Sequence, residues 1–196
     1  GHGRGQPAGD PRFLPMKFSH PAADIFVPDA SVTPEAALAR TTHLCVAAHQ
    51  DDIEIMAYHG IVECFGLADK WFSGVVVTNG SGSSRTGIYG NYTDAQMQDV
   101  RRLEQRKAAF VGDYSIQLQL AHPSAAVKDR ANAAVQADLT AIFAAAGADV
   151  VYLHQPADKH DTHIGVFGHS LTALRQLPPH QRPKRVFGCE VWRDLD

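Results

Sequence analysis

The chain has 196 residues, a length typical of one domain that buries its own core. Apolar residues make up 44% of the composition, and 18 basic against 21 acidic residues give a net charge of −3 without a basic block, which argues against nucleic acid as a partner. No apolar run approaches the roughly 20 residues of a transmembrane helix, and residues 1–13 lack the apolar segment of a secretory signal peptide.

The first third of the chain predicts an extended lead-in followed by a strand and a helix. Residues 1–40 are rich in Pro, Gly and Asp, and we interpret them as a lead-in that wraps a single domain formed by residues 41–196. The apolar run 43–48 predicts a strand buried on both faces. Apolar residues then recur at helical spacing over 53–64, which predicts a helix that ends at Gly66.

The same alternation of strands and helices continues along the chain. The stretch 115–120 alternates apolar and polar residues, which is typical of an edge strand with one less buried face. Thr93 and Gln96 form a capping-box pattern at the start of a helix. Further strands are predicted at 71–78, 149–154 and 185–192, and helices at 93–112, 127–146 and 165–177. Five strands alternating with helices predict an α/β fold, a Rossmann-like three-layer α/β/α sandwich with a mainly parallel five-stranded sheet.

The sequence His49-Gln50-Asp51-Asp52 directly follows the first predicted strand of this sheet. Ligands of such folds bind beyond the carboxyl ends of the strands. An imidazole and a carboxylate three residues apart at a strand-to-helix turn could converge on one cation, as His49 and Asp52 would. Asp51 would then point elsewhere and be free to handle protons. The alternative is that one of the two aspartates only caps the following helix.

A second polar sequence, "HQPADKHDTHIG", follows the strand that ends near His154 and so emerges at the same edge of the sheet. His160 and His163 are spaced i, i+3, which predicts that both lie on one face of a helical turn. Asp158 and Asp161 are candidates to fix the tautomer of an imidazole. We expect His154 itself to bond to the backbone at the end of its strand.

Two histidines and one carboxylate that leave an open position describe a catalytic zinc site. The same donors form the facial triad of non-haem iron enzymes, so the ligand types do not distinguish Zn²⁺ from Fe²⁺. A closed structural site would normally use four protein ligands.

The motifs "AAHQDDIEIMA" and "HQPADKHDTH" together resemble the LmbE-like (PIG-L) family, the N-acetylglucosaminyl-phosphatidylinositol de-N-acetylases and their bacterial relatives. That family has an A-H-P-D-D motif after its first strand and an H-x-x-H motif after a later one. Between them, "VVVTNGSGS" is similar to the family's strand ending in T-x-G. "RRLEQRKAAFVG" is similar to its R-x-x-E-x-x-x-A-A-x-x-G helix. The resemblance covers residues 42–170.

This resemblance implies a set of roles and a reaction. The zinc ligands would be His49, Asp52 and His163. Asp51 would be the general base, and His160 would stabilise the oxyanion or protonate the leaving amine. The family removes acetyl groups from N-acetylglucosamine-type sugars, so the expected cofactor is Zn²⁺, with Fe²⁺ as the alternative. The expected partner is an N-acylated, sugar-like small molecule.

The sequence also departs from the family pattern. Gln50 stands where the family usually has proline, and Ile53 replaces the usual glutamate, with Glu54 one position later. Asp158 takes the place of a tyrosine that some members have before the H-x-x-H motif. Relatives generally continue beyond the fifth strand.

Two further elements have weaker functional signals. In the loop "NGSGSSRTG", Asn79 could lie near the metal and Arg85 could reach a phosphate or carboxylate of the substrate, although a simple connector is equally compatible with this sequence. On the following helix, Glu104 shares a stripe with apolar residues and should face the sheet. Arg101, one turn earlier, is its expected ion-pair partner.

Other functions remain as alternatives. The chain could hydrolyse a different small-molecule amide, or it could bind a ligand without catalysis, although a degenerate binder would be expected to lose Asp51 or His160. An iron oxygenase is disfavoured because its triad usually sits on a β-barrel. A nucleotide-binding domain is disfavoured because no glycine occurs between Leu44 and Ile55. The sequence leaves the oligomeric state open, a homo-oligomer included.

The three cysteines, Cys45, Cys64 and Cys189, are far apart and lie in apolar contexts. An odd number without a close pair argues against a disulfide framework and indicates a reducing compartment. We therefore expect a cytoplasmic location.

Overall fold

A mostly parallel sheet of six strands forms the centre of the part of the chain that the computed structural model describes, residues 16–192. Its strands are β1 (Asp24–Phe26), β2 (His43–Ala47), β3 (Phe72–Thr78), β4 (Ile116–His122), β5 (Val150–His154) and β6 (Arg185–Cys189). The order across the sheet is β1-β4-β3-β2-β5-β6, and only the pairing of β1 with β4 is antiparallel. This architecture confirms the predicted α/β fold and adds one strand to it.

Seven helices cover the sheet within the described residues. They are α1 (Pro34–Ala39), α2 (Asp52–Met56), α3 (Tyr58–Cys64), α4 (Asp94–Val111), α5 (Ser124–Lys128), α6 (Ala133–Ala146) and α7 (Asp161–Gln176). Short 3₁₀ turns occur at Gly87–Tyr89 and Pro179–Gln181. No helix between residues 16 and 192 combines the length and apolar character needed to cross a bilayer.

Both faces of the sheet carry an apolar layer, which explains the continuous apolar run in β2. Leu44 and Val46 face a cluster that includes residues of α1, α5, α6 and α7. Cys45 and Ala47 point to the opposite face and pack with residues of α2, α3 and α4. Since side chains of a strand alternate between faces, a strand covered on both sides must be apolar throughout.

The strand β4 lies inside the sheet, so the prediction of an edge strand is wrong. It pairs with β3 on one side and with Asp24–Phe26 of β1 on the other, and all seven of its residues are buried. Its polar face is buried because the amides of Gln117 and Gln119 hydrogen-bond to Gln105 and Gln50. The alternating pattern therefore reflects a hydrogen-bonded polar face under α4 and not a solvated one.

Several helix boundaries differ from the sequence-based prediction. The helix predicted over 53–64 breaks at Ala57, and that predicted over 127–146 breaks before Asn132, whose side chain caps α6. The last helix begins at Asp161, and the last strand ends at Cys189. Predictions for residues 1–15 and 193–196 lie outside the described residues.

A cluster of hydrogen bonds around the buried Asp138 attaches the lead-in to the domain. The backbone N–H and the hydroxyl of Ser19 donate to Oδ1 of Asp138 at 2.9 and 2.8 Å, and Oδ2 of Asp138 lies 2.8 Å from Nε2 of His122. Burial alone would raise the pKa of Asp138, but these hydrogen bonds outweigh it and hold the pKa below its usual value. The stabilisation is thus present at neutral pH and lost as the pH falls through the folded-state pKa.

We expect Asp138→Ala to lower the free energy of unfolding by about 2–3 kcal/mol, because it leaves the buried imidazole of His122 without its partner and removes both hydrogen bonds of Ser19. Asp99→Ala is the control, since it removes an exposed carboxylate paired with Arg102 on α4 and should cost less than about 1 kcal/mol. Urea unfolding measures both. Equal losses in the two variants would contradict a role of Asp138 in anchoring the lead-in.

Candidate metal centre

The turn after β2 sends two adjacent aspartates in different directions. Asp51 has a φ of 74°, a left-handed conformation that costs a residue with a Cβ about 1–2 kcal/mol. Its side chain is exposed, whereas Asp52 is 2% exposed. Asp51 makes no capping hydrogen bond through its side chain, and Oδ2 of Asp52 accepts the His49 N–H at 2.8 Å. The interpretation of these residues as simple helix caps is therefore wrong.

Three side chains from two distant loops meet below this turn. Oδ2 of Asp52 lies 3.2 Å from Nδ1 of His49 and 3.3 Å from Nε2 of His163. The two imidazole nitrogens are 3.3 Å apart, although they come from residues 114 positions apart in the chain. The structure thus brings together the three residues that the resemblance implies as ligands.

The spacing of these three atoms fits a divalent metal. Ligands about 2.0–2.2 Å from a tetrahedral zinc ion lie roughly 3.3 Å from one another. The three observed separations, 3.2, 3.3 and 3.3 Å, match that value. Three donors of the His₂Asp type also leave one tetrahedral position for water or substrate, as catalytic zinc sites do.

Asp158 fixes the orientation of His163 for such a role. Its Oδ2 lies 2.8 Å from Nδ1 of His163, which leaves Nε2 directed at Asp52. Its Oδ1 accepts the backbone N–H of His160 at 2.8 Å. The neighbouring Asp161 is exposed and, within residues 16–192, bonds neither imidazole. Of the two candidate orienting residues, Asp158 is therefore the one that contacts the histidine.

The electrostatics of the cluster favour a bound cation. Burial would raise the pKa of Asp52, but hydrogen bonds with His163 and His49 outweigh it and hold the pKa well below its usual range. Burial would likewise lower the pKa of His163, but Asp52 and Asp158 outweigh it and raise the pKa. The site thus contains an ionised carboxylate beside an imidazole that gives up its proton when a metal binds.

Two more histidines stack on His163. The ring of His154 lies 4.0 Å from it on one side, and the ring of His160 lies 4.6 Å from it on the other. Nε2 of His154 accepts the N–H of Ala48 at 2.9 Å, which confirms the predicted backbone bond. Burial, followed by the neighbouring His163, lowers the pKa of His154 to about 3 and keeps it neutral.

A second grouping of possible ligands shares His163. Donor atoms of His154, Asp158 and His163 also lie within 4.8 Å of one another. In that grouping, however, the carboxylate is already hydrogen-bonded to Nδ1 of His163, and Nε2 of His154 accepts a backbone N–H. The first grouping is therefore the better metal site.

An open cavity of about 470 Å³ lies over the cluster. Asp51 and His160, the two residues with implied proton-transfer roles, both line it. The other lining residues come from the ligand set, the loop after β3, the helices α4, α5 and α7 and the segment after β6: His49, Asp52, Thr78, Gly80, Gly82, Ser83, Ser84, Tyr89, Met97, Val100, Arg101, Glu104, Ser124, Lys128, Thr162 and Trp192. A small molecule in this cavity would lie within reach of His49, Asp52 and Asp51.

Arg101 contacts the turn more closely than its sequence position indicates. It forms the predicted ion pair with Glu104 at 2.7 Å. It also donates to the carbonyl of Gln50 at 2.6 Å and to Oδ2 of Asp51 at 2.8 Å. Glu104 itself is exposed, so the prediction that it faces the sheet is wrong by one position; Gln105 faces the sheet instead. The sequence signal for these contacts was only the similarity of the R-x-x-E helix.

The two predicted substrate-binding residues have structural partners. Oδ1 of Asn79 accepts the N–H of Ser81 within the loop. Arg85 donates to the carbonyls of Tyr92 and Ser81 and pairs with Asp94 at the start of α4. Neither residue lines the cavity over the cluster. A contact of these side chains with substrate stays a prediction.

Comparison with known families fits this geometry. A family model described as GlcNAc-PI de-N-acetylase (PIG-L) matches residues 44–174, well over half of the chain. The chain belongs to the PIG-L family. The match spans the strands from β2 to β5 and nearly all of α7, so all three candidate ligands of this PIG-L chain lie within it. No curated protein matches the chain.

Solved structures share the fold of this PIG-L chain. N,N'-diacetylchitobiose deacetylase from Pyrococcus horikoshii has a TM-score of 0.60 and 20% identity, over 72% of this chain and 52% of that one. The A40926 pseudoaglycone deacetylase Dbv21 has a TM-score of 0.53 and 18% identity, over 70% and 60%.

A third similar structure is that of an enzyme with a different activity. GalB, the 4-carboxy-2-hydroxymuconate hydratase from Pseudomonas putida KT2440, has a TM-score of 0.54 and 17% identity, over 76% of this chain and 62% of that one. The chain thus spans about half to two thirds of the length of these three structures. At such identities, the similarity establishes the fold.

We expect Asp158→Ala to weaken zinc binding about 10–100-fold, because His163 loses the partner that fixes its tautomer and ring orientation. Asp161→Ala is the matched control, since it removes a neighbouring carboxylate that bonds neither imidazole. Competition with a chromogenic chelator measures both affinities. The account is contradicted if the two variants bind zinc equally well.

Proposed function

We propose that this chain is a zinc-dependent hydrolase that removes the N-acetyl group from an amino-sugar-like small molecule. The observation that carries this proposal is the triangle of His49, Asp52 and His163 below a cavity that Asp51 also lines. Membership of the PIG-L family and the fold shared with two deacetylases support it.

The three ligands would hold the ion at the floor of the cavity. When bound, zinc supplies a Lewis acid that polarises the amide carbonyl and lowers the pKa of a water molecule towards about 7. Asp51 would accept a proton from the attacking water, whose oxygen adds to the carbonyl carbon. The C–N bond then breaks, so that acetate and a free amine leave.

His160 would act on the other side of the reacting amide. Its ring lies 4.9 Å from that of His49, and it lines the cavity. Its Nδ1 accepts the N–H of Thr162 at 3.3 Å, which leaves Nε2 for the substrate. With Nδ1 as an acceptor, Nε2 of His160 carries the hydrogen, and from this position it would donate to the developing oxyanion or give its proton to the departing amine. Such electrostatic stabilisation is often worth about 3 kcal/mol.

The cavity has features suited to a polar small molecule. Its volume of about 470 Å³ lies within the usual range for small-molecule sites. Its rim includes the exposed indole of Trp192 and the hydroxyl side chains of Ser83, Ser84 and Ser124. An aromatic face together with hydroxyl groups is compatible with a sugar ring, and we infer that the substrate is sugar-like.

Three alternatives follow from the same site. The chain could hydrolyse another small-molecule amide, or it could bind a metal and a ligand without catalysis. A hydratase is the third, because GalB, which shares the fold, is a hydratase. Hydration also needs an activated water and a base, so Asp51 and the ligands would suit it. Only hydrolysis releases a free amine.

The decisive assay is amine release from a panel of N-acetylated amino sugars and of non-sugar acetamides. We expect turnover of at least one sugar by the zinc-loaded protein, and a loss of at least about 100-fold in kcat in Asp51→Asn, because general-base catalysis is commonly worth 10²–10⁴. Zinc content should be unchanged in that variant.

Asp99→Asn, an exposed carboxylate on α4, serves as the control and should retain full activity. Full activity of Asp51→Asn would overturn the assignment of the base. Release of amine from acetamides only would exclude a sugar substrate, and no release from any compound by zinc-loaded protein would overturn the deacetylase proposal.

A further inference from the structure

The backbone of Asp51 is held by a side chain that lies beneath the turn. Its N–H donates to Oε1 of Gln105 at 3.0 Å. Gln105 lies on the face of α4 directed at the sheet and is 1% exposed. A backbone N–H can only donate, so this bond fixes the orientation of the Gln105 amide: its oxygen must face Asp51 and its NH₂ group must face away.

The NH₂ group of Gln105 has two acceptors, the half-buried Glu54 and the buried Gln117. It donates to Oε1 of Glu54 at 3.0 Å and to Oε1 of Gln117 at 3.3 Å. Glu54 also accepts the hydroxyl of Tyr114 at 2.6 Å. The result is a continuous series of hydrogen bonds from Tyr114 through Glu54 and Gln105 to the backbone of Asp51. Each member has one acceptable orientation, so the series defines where that N–H must lie.

This support is separate from the contacts made by Arg101. Arg101 binds the Asp51 carboxylate and the carbonyl of Gln50 from the cavity side. Gln105 binds the Asp51 N–H from the sheet side. Arg101 thus pairs with the charged side chain of Asp51, whereas Gln105 restrains the backbone conformation of Asp51. A residue with a Cβ keeps a φ of 74° only where its surroundings determine it.

We propose that Gln105 is a positioning residue, which with Glu54 and Tyr114 holds Asp51 in the left-handed conformation and thereby directs its carboxylate into the cavity. The catalytic consequence rests on the function proposed above. Asp52 and Asp51 are adjacent, so any other conformation of the turn would move the base relative to the ligand set. Gln105 acts only through Asp51 and contacts neither the ligands nor the cavity.

The test compares Gln105→Leu with Gln117→Leu. Both variants remove a buried amide from the same network, but only the first removes the acceptor of the Asp51 N–H. We expect both to lose stability and only Gln105→Leu to lose kcat, by about 10–100-fold, the effect of a misplacement near 1 Å. KM and zinc content should stay unchanged. Equal kcat values in the two variants would overturn the proposal.

Exchange of the amide and carboxylate groups between positions 54 and 105 tests the positioning role of Gln105 in a second way. In Gln105→Glu, the new carboxylate faces Glu54, and kcat should fall. In the double variant Gln105→Glu/Glu54→Gln, the acceptor for the Asp51 N–H and the donor between positions 54 and 105 are both restored. We expect kcat to recover most of the loss. Both variants must be folded and zinc-loaded for this comparison. If the kcat of the double variant does not exceed that of Gln105→Glu, the proposal is overturned.

A crystal structure of Gln105→Leu gives a readout that does not depend on activity. We expect the φ of Asp51 to leave the left-handed region and its carboxylate to move away from Arg101. An unchanged turn would overturn the positioning role even if the chain proves to be a hydrolase. A displaced turn in a wild-type chain that releases no amine would support the positioning role and leave only the proposed function overturned.

Discussion

The contact between the Asp52 carboxylate and two imidazoles is the interaction on which the site depends. One imidazole comes from the turn after β2 and the other from the first turn of α7, 114 residues later. Parallel pairing of β2 with β5 places the carboxyl ends of both strands at the same edge of the sheet. The segments that follow the two strands therefore lie next to each other. The fold thus supplies the convergence, and the side chains at the two strand ends supply the chemistry.

The second constraint is that the neighbouring carboxylates of Asp51 and Asp52 must point in different directions. A buried, ionised Asp52 is costly unless a cation or hydrogen bonds compensate for it. The exposed Asp51 lines the cavity and pairs with Arg101. The left-handed backbone at Asp51 achieves this separation, and Arg101 and Gln105 hold it from opposite sides. The repulsion expected for adjacent aspartates is avoided because the two side chains point apart.

Much of the fold was predictable because its signals are local. A strand covered on both faces must be apolar, and a strand-to-helix turn rich in His and Asp stands out against such runs. The six-stranded order and β1 were not predictable, since three residues, Asp24–Phe26, have no pattern of their own. The alternation in β4 was misread because a polar face looks the same in sequence whether water or the amides of Gln50 and Gln105 satisfy it.

The candidate ligands of the site could be named from the sequence, whereas the residues that hold the site in place were harder to predict. The histidines and aspartates have recognisable spacings, so His49, Asp52 and His163 could be named from motifs. Asp158 was one of two candidate orienting residues, and its bond with His163 distinguishes it from Asp161. The contact of Gln105 with Asp51 joins residues far apart in the chain, which spacing does not reveal. For Asn79 and Arg85, the structure shows bonds within the loop, and their contact with substrate stays a prediction.

The central claim is that His49, Asp52 and His163 jointly bind one divalent ion. Anomalous X-ray diffraction at the zinc absorption edge, from crystals grown with zinc, tests it most directly. The account predicts one strong peak about 2.0–2.2 Å from Nδ1 of His49, Oδ2 of Asp52 and Nε2 of His163. A fully occupied peak elsewhere, or no peak between these three atoms at saturating zinc, would contradict it.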